Sequence, residues 1–150
     1  MFITPNLETI LPLLEKLNST SEPAWGSLSA QGMIEHLTDT IALANSTSSF
    51  TKLLIPADKV ESMQRFLLSD KEMMRNVEVP FAPKERVLRN DELELAVDEF
   101  VDAWIQFEEH FEQHPGRTEN HPFYGQLNYD QWIALHKKHI THHFNQFGLI

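Results

Sequence analysis

Four of the chain's eight histidines lie in one short run, His136, His139, His142 and His143. At 100° per residue on a helix, His136, His139 and His143 project within about a 60° arc, while His142 points elsewhere. Trp132, Ile133, Leu135, Ile140, Phe144 and Phe147 flank that arc on both sides. The three imidazoles therefore occupy the middle of the stripe that an amphipathic helix buries. Burying imidazoles among apolar side chains is costly unless each finds a partner, and a metal ion is the partner several neutral imidazoles share most cheaply. The chain has no cysteine, so any such ion has to be held by imidazole and carboxylate.

His139 and His143 stand four residues apart, the spacing at which two imidazoles on one helix bind a single ion. A third ligand has to come from another helix, and His36 is the best candidate. It is the sole histidine on the second predicted helix and falls within that helix's apolar arc, close to one edge. Three histidines leave a coordination position open for water or substrate, which is the pattern of a catalytic metal site rather than a structural one. His136 with His139, three apart, is a competing pair. The other role for His136 is that of a core histidine hydrogen-bonded to a backbone carbonyl or carboxylate. One isolated histidine on an apolar face favours such a satisfied-core reading, whereas a stripe of three with a fourth on a neighbouring helix favours metal. His110 and His114 read as surface residues, one on a helix flank and the other just before Pro115. His121 either approaches the same end of the molecule or caps the last helix, and the sequence leaves both open.

Other chemistries fit poorly. A di-iron carboxylate bundle needs inward Glu-x-x-His pairs, and no glutamate stands three residues before any histidine. No Gly-rich phosphate loop and no nucleophile elbow occurs.

The elements that would position these histidines are helical. Ile10, Leu11, Leu13, Leu14 and Leu17 predict a helix over about Thr9–Leu17, which begins or kinks at Pro12. Ser29 caps a second helix reaching about Ala44, ended by the polar run Asn45–Ser49. Val60, Met63, Phe66 and Leu67 predict a helix inside the long stretch Phe50–Arg89, Ser69 with Glu72 a short capped turn, and Val77–Val87, with Pro80 and Pro83, an extended crossing segment. Asn90 caps a long helix carrying Leu93, Val97, Phe100, Val101, Trp104, Phe107 and Phe111 at three- and four-residue spacing, stopped by His114-Pro115-Gly116. After a polar loop, Asn128 and Gln131 form a capping box that opens the histidine-bearing helix. Four long amphipathic helices with one long connection between the second and third predict an all-α four-helix bundle with a crossover.

Composition bounds the partners. The 150 residues, 41% hydrophobic and 23% charged, fit one domain spanning 1–150 with a single core. No apolar run approaches a membrane span, and the first residues lack the pattern of a secretory signal, so a cytoplasmic protein is expected. Twenty-two acidic against twelve basic residues give a formal charge of −10, which repels phosphate backbones and anionic lipid, excluding nucleic acid and membrane as partners.

Two stretches, Trp25-Gly26-x-Leu28-Ser29-Ala30-Gln31-x-Met33-Ile34-x-His36-Leu37 and His121-Pro122-Phe123-x-Gly125-x-Leu127 followed by Trp132, His139, His142, His143 and Gln146-Phe147-Gly148, resemble an uncharacterised branch of the DinB-like superfamily. The likeness covers nearly the whole chain in length and helix order. It implies a bundle with an up-down-down-up course and a divalent ion, nickel or zinc, held by a histidine on the second helix and two on the last, matching His36, His139 and His143. It also implies a metal-dependent transferase, or a related hydrolase, using a low-molecular-weight thiol and a small-molecule substrate. Lack of protein cysteine fits that scheme, whereas the long Phe50–Arg89 insert and the extra His136 and His142 depart from better-known members. The alternative is a non-catalytic, stress-associated bundle that binds metal or a small ligand and acts through partners, as a homodimer for instance.

Overall fold

The computed structural model describes residues 1–45, 52–75 and 86–150. Most of the extended segment expected over Val77–Val87 and most of the Asn45–Ser49 run lie outside the described residues. Among those described are five α-helices and one small antiparallel sheet, so the fold is mostly helical rather than all-α. Helix α1 spans Leu7–Leu14. The Asn6 side chain opens it by accepting from the Thr9 amide at 2.8 Å, two residues earlier than the apolar spacing predicts. Pro12 lies inside it, where its ring removes one backbone donor and crowds the preceding turn, and the helix ends two residues later.

Helix α2, Ala30–Ala42, is capped by Ser29 and tightens into a 3-10 turn at Leu43–Asn45. Helix α3 is Val60–Leu67. Ser69 donates its hydroxyl to the Phe66 carbonyl, closing the end of α3, and its Oγ accepts from the Lys71 amide at 3.3 Å. Helix α4 runs Leu93–Gln113 with Glu92, not Asn90, at its N-cap position. The physical reason lies on α2: the buried Glu35 carboxylate accepts from the backbone amides of Arg89 (2.6 Å) and Asn90 (3.2 Å). Gln31 donates to the Asn90 carbonyl. These bonds hold the chain off helical geometry for two further residues. Helix α5, Tyr129–Gln146, carries the expected capping box of Asn128 and Gln131.

The loop before α5 contains an unpredicted hairpin. Strands β1 (Glu119–His121) and β2 (Gly125–Leu127) pair antiparallel, with His121 opposite Gly125. Gly125 has φ 71°, and a Cβ there would stand 2.9 Å from Val60 of α3. That approach fits glycine alone. Gln64 of α3 then donates to the carbonyls of Tyr124 and Gln126, so α3 and the hairpin are fastened together.

Among the described residues only α2, α4 and α5 are long; α1 and α3 have eight residues each, short of the four long helices the periodicity predicts. Helix α2 packs chiefly against α4, and both α2 and α3 touch α5. One connected core joins Ile10, Met33, Leu37, Ile41, Phe100, Phe107, Trp132 and Phe144. Each fully buried side chain of this kind contributes on the order of 1.5–3 kcal/mol. Lys138 is buried as well, donating to the carbonyls of Ser69 and Lys71 and lying over the rings of Phe2 and Phe66. It thereby ties the segment after α3 to α5. The stretch before α2 is tied to the other end of α5 by Ala24 N–H donating to the Gln146 carbonyl at 2.7 Å.

Candidate metal centre

Helix α2 supplies His36, and α5 supplies His139 and His143 one turn apart. The three imidazoles converge, with one ring nitrogen from each lying within 4.8 Å of the others. Nε2 of His36 and Nε2 of His139 stand 2.9 Å apart. The ring centroids are separated by 4.7 Å, 5.0 Å and 4.8 Å for the pairs 36/139, 36/143 and 139/143. His143 is buried, while His36 and His139 are half-buried. Such a cluster is close enough to hold one metal ion.

The rings are prepared as ligands. Burial pushes the His36 pKa down to about 4, with the Arg86 charge adding to the effect and Asp39 opposing it. Burial likewise takes His143 to about 3, and neighbouring imidazoles assist. His139 is held well below its ordinary value by the same causes. All three are neutral at pH 7, the form that binds metal.

Gln146, which the reading of spacing alone does not single out, fixes the tautomer of His143. Its Nε2 donates to the Trp25 carbonyl at 2.8 Å, which orients the amide because a carbonyl can only accept. Its Oε1 therefore faces His143 Nδ1 at 2.7 Å and accepts the proton there, leaving the Nε2 lone pair of His143 free. The signal was the i,i+3 spacing of the two residues on one helix.

The other histidines lie elsewhere. His136, the competing ligand, is not in the cluster: it is buried against the rings of Phe107 (4.8 Å), Trp104 (5.6 Å) and Trp132 (5.7 Å). The core position is as expected, but among the described residues its Nε2 has no hydrogen-bond partner, and neither does the buried Nε1 of Trp132. His121 is buried in the hairpin, where its Nδ1 accepts from the Phe123 amide at 3.1 Å and its ring faces Trp132. It neither reaches the triad nor caps α5, whose cap is Asn128. His142 meets the edge of Trp25, with Arg75 stacked on the same indole. His114 is exposed, as expected. His110 is not a free surface residue: its Nε2 pairs with Glu119 of β1 at 3.0 Å, and both side chains are largely buried.

The fold and the site together define a mostly helical protein with a three-histidine cluster shared between two helices. The chain belongs to DUF1569, described as a protein family of unknown function, whose match covers residues 63–148. That stretch includes His139 and His143 but not His36. No curated protein matches the chain, and no solved structure does. No helix among the described residues is long and apolar enough to cross a membrane.

Proposed function

We propose that the protein is a divalent-metal-dependent enzyme of the DinB-like kind, in which His36, His139 and His143 hold nickel or zinc and a low-molecular-weight thiol is the cosubstrate of a transfer reaction. The observation that carries this reading is the convergence of three neutral imidazoles from two helices onto one point. Nε2 of His36 and Nε2 of His139, 2.9 Å apart, are close enough that both imidazoles would hold one ion, with His143 as the third ligand. Three histidine ligands would leave a coordination position of the ion open to substrate. A divalent ion in that position supplies Lewis acidity, lowering the pKa of a neighbouring thiol so that thiolate is available at neutral pH.

The chain's own residues do the remaining work. Gln146 keeps the His143 proton on Nδ1, away from the convergence point, and is itself held by Trp25. Elemental analysis of untagged protein, purified without added metal, tests the reading. One divalent ion per chain is expected, with stoichiometric binding lost in His139→Ala. An ion-free protein that also fails to take up nickel or zinc would leave the three histidines as a hydrogen-bonded cluster and overturn the proposal.

A further inference from the structure

An arginine lies along the stripe of α2 that carries His36. Gly32, His36 and Asp39 fall within about a 60° arc of α2 over two turns. The Arg86 side chain spans the same stripe. Its Cδ would lie 3.6 Å from a Cβ built on Gly32, and its Nη2 pairs with Asp39. Between those two anchor points the stripe holds His36.

The guanidinium is only partly satisfied. Arg89, its neighbour in sequence, is committed: it reaches both carboxylate oxygens of Glu99 and also Asp39. Among the described residues Arg86 pairs with Asp39 alone, its side chain is 19% exposed, and its Nε is shielded from solvent with no hydrogen-bond partner among them. An unmatched N–H of a guanidinium removed from water is costly, and the planar fork formed by Nε and its adjacent Nη matches two oxygens of a carboxylate or phosphate. A divalent ion beside His36 and the Arg86 cation repel each other, and an anion between them relieves both.

We infer that Arg86 is a substrate-recognition residue, whose guanidinium takes an oxyanion group of the molecule that occupies the position beside His36, His139 and His143. The inference rests on the metal-site reading above. The molecule's chemical class is then a carboxylate or a phosphate ester.

Cobalt-loaded protein tests it, because the visible absorption of Co(II) reports its surroundings. Cobalt is titrated first, then inorganic phosphate or succinate is titrated into the loaded protein. Wild type is expected to bind one cobalt and then one oxyanion, the tighter of the two probes identifying phosphate or carboxylate as the source. Arg86→Gln is expected to keep the cobalt and to bind the oxyanion about ten- to a hundredfold more weakly. Arg86→Lys, which keeps the charge and the approach to Asp39 but loses the planar fork, is expected to recover only part of that loss. Arg89→Gln is expected to match wild type. If cobalt does not bind, the metal reading fails and this inference with it. If cobalt binds but both Arg86 variants take up oxyanion like wild type, or Arg89→Gln weakens it as much as Arg86→Gln does, the metal reading stands and the role of Arg86 is overturned.

Discussion

Helix α5 carries buried histidines toward two different neighbourhoods. At one, His139 and His143 meet His36 with ring nitrogens facing each other. At the other, His136 and His121 border Trp132, and His136 is enclosed further by Trp104 and Phe107. Burial depresses the pKa in both places, to about 4 and 3 for His36 and His143 and to about 3 for His121 and His136. A low pKa therefore does not separate a ligand from a core residue. The placement of the ring nitrogens does: one from each of His36, His139 and His143 lies within 4.8 Å of the others, whereas His136 Nε2 meets no hydrogen-bond partner among the described residues and His121 Nδ1 takes the Phe123 amide.

The strongest way to break this contrast is to exchange the two groups in a metal titration. His139→Ala is expected to lose stoichiometric nickel or zinc, and His136→Phe to retain it with unchanged stoichiometry. Equal loss in both variants would erase the distinction. Gln146→Leu sharpens it further, since the variant keeps all three imidazoles but releases the His143 tautomer and the tie to Trp25. Its metal affinity is expected to fall about 10- to 100-fold with stoichiometry intact, as read by competition with a chelator. An unchanged affinity would show that Gln146 only packs.

The aromatic group should instead reveal itself in stability against pH. For His121 and His136 the folded pKa lies below the unfolded value near 6.5, so the unfolded chain takes up protons first as pH falls. Stability is complete above about pH 6.5 and declines as pH drops toward 3, by up to about 2 kcal/mol per histidine at pH 5. Urea unfolding of metal-free protein checks this, and His136→Phe should flatten the slope between pH 6.5 and 5 by about one proton. A slope identical to wild type would contradict the assignment. The smallest effect is expected at neutral pH. There His136→Phe, which removes an unpartnered ring nitrogen from an apolar enclosure, should be neutral or stabilising by about 1 kcal/mol, whereas a large loss would reveal a partner for that nitrogen.

What could be read from the sequence follows the range of the interactions. The capping box of Asn128 and Gln131 was legible because both halves lie within one turn. The start of α4 was misplaced at Asn90 because the group that claims its amide is Glu35, 55 residues away. The hairpin was hidden because strands of three residues carry almost no alternation, and Gly125 is explained only by Val60 of α3. His136, His139 and His143 share one arc of a helical wheel, so periodicity could not divide them. The aromatic residues of α4 meet one, and His36 meets the other two. His110 looked superficial until Glu119 folded back onto it through the hairpin.

The central claim is that one ion sits among His36, His139 and His143, and anomalous diffraction at the metal absorption edge from crystals of nickel- or zinc-loaded protein tests it most directly. The account predicts a single strong peak about 2.0–2.1 Å from one ring nitrogen of each of these residues, with none near His121 or His136. A peak held by His121 and His136, or no ordered ion among the three converging imidazoles, would contradict it.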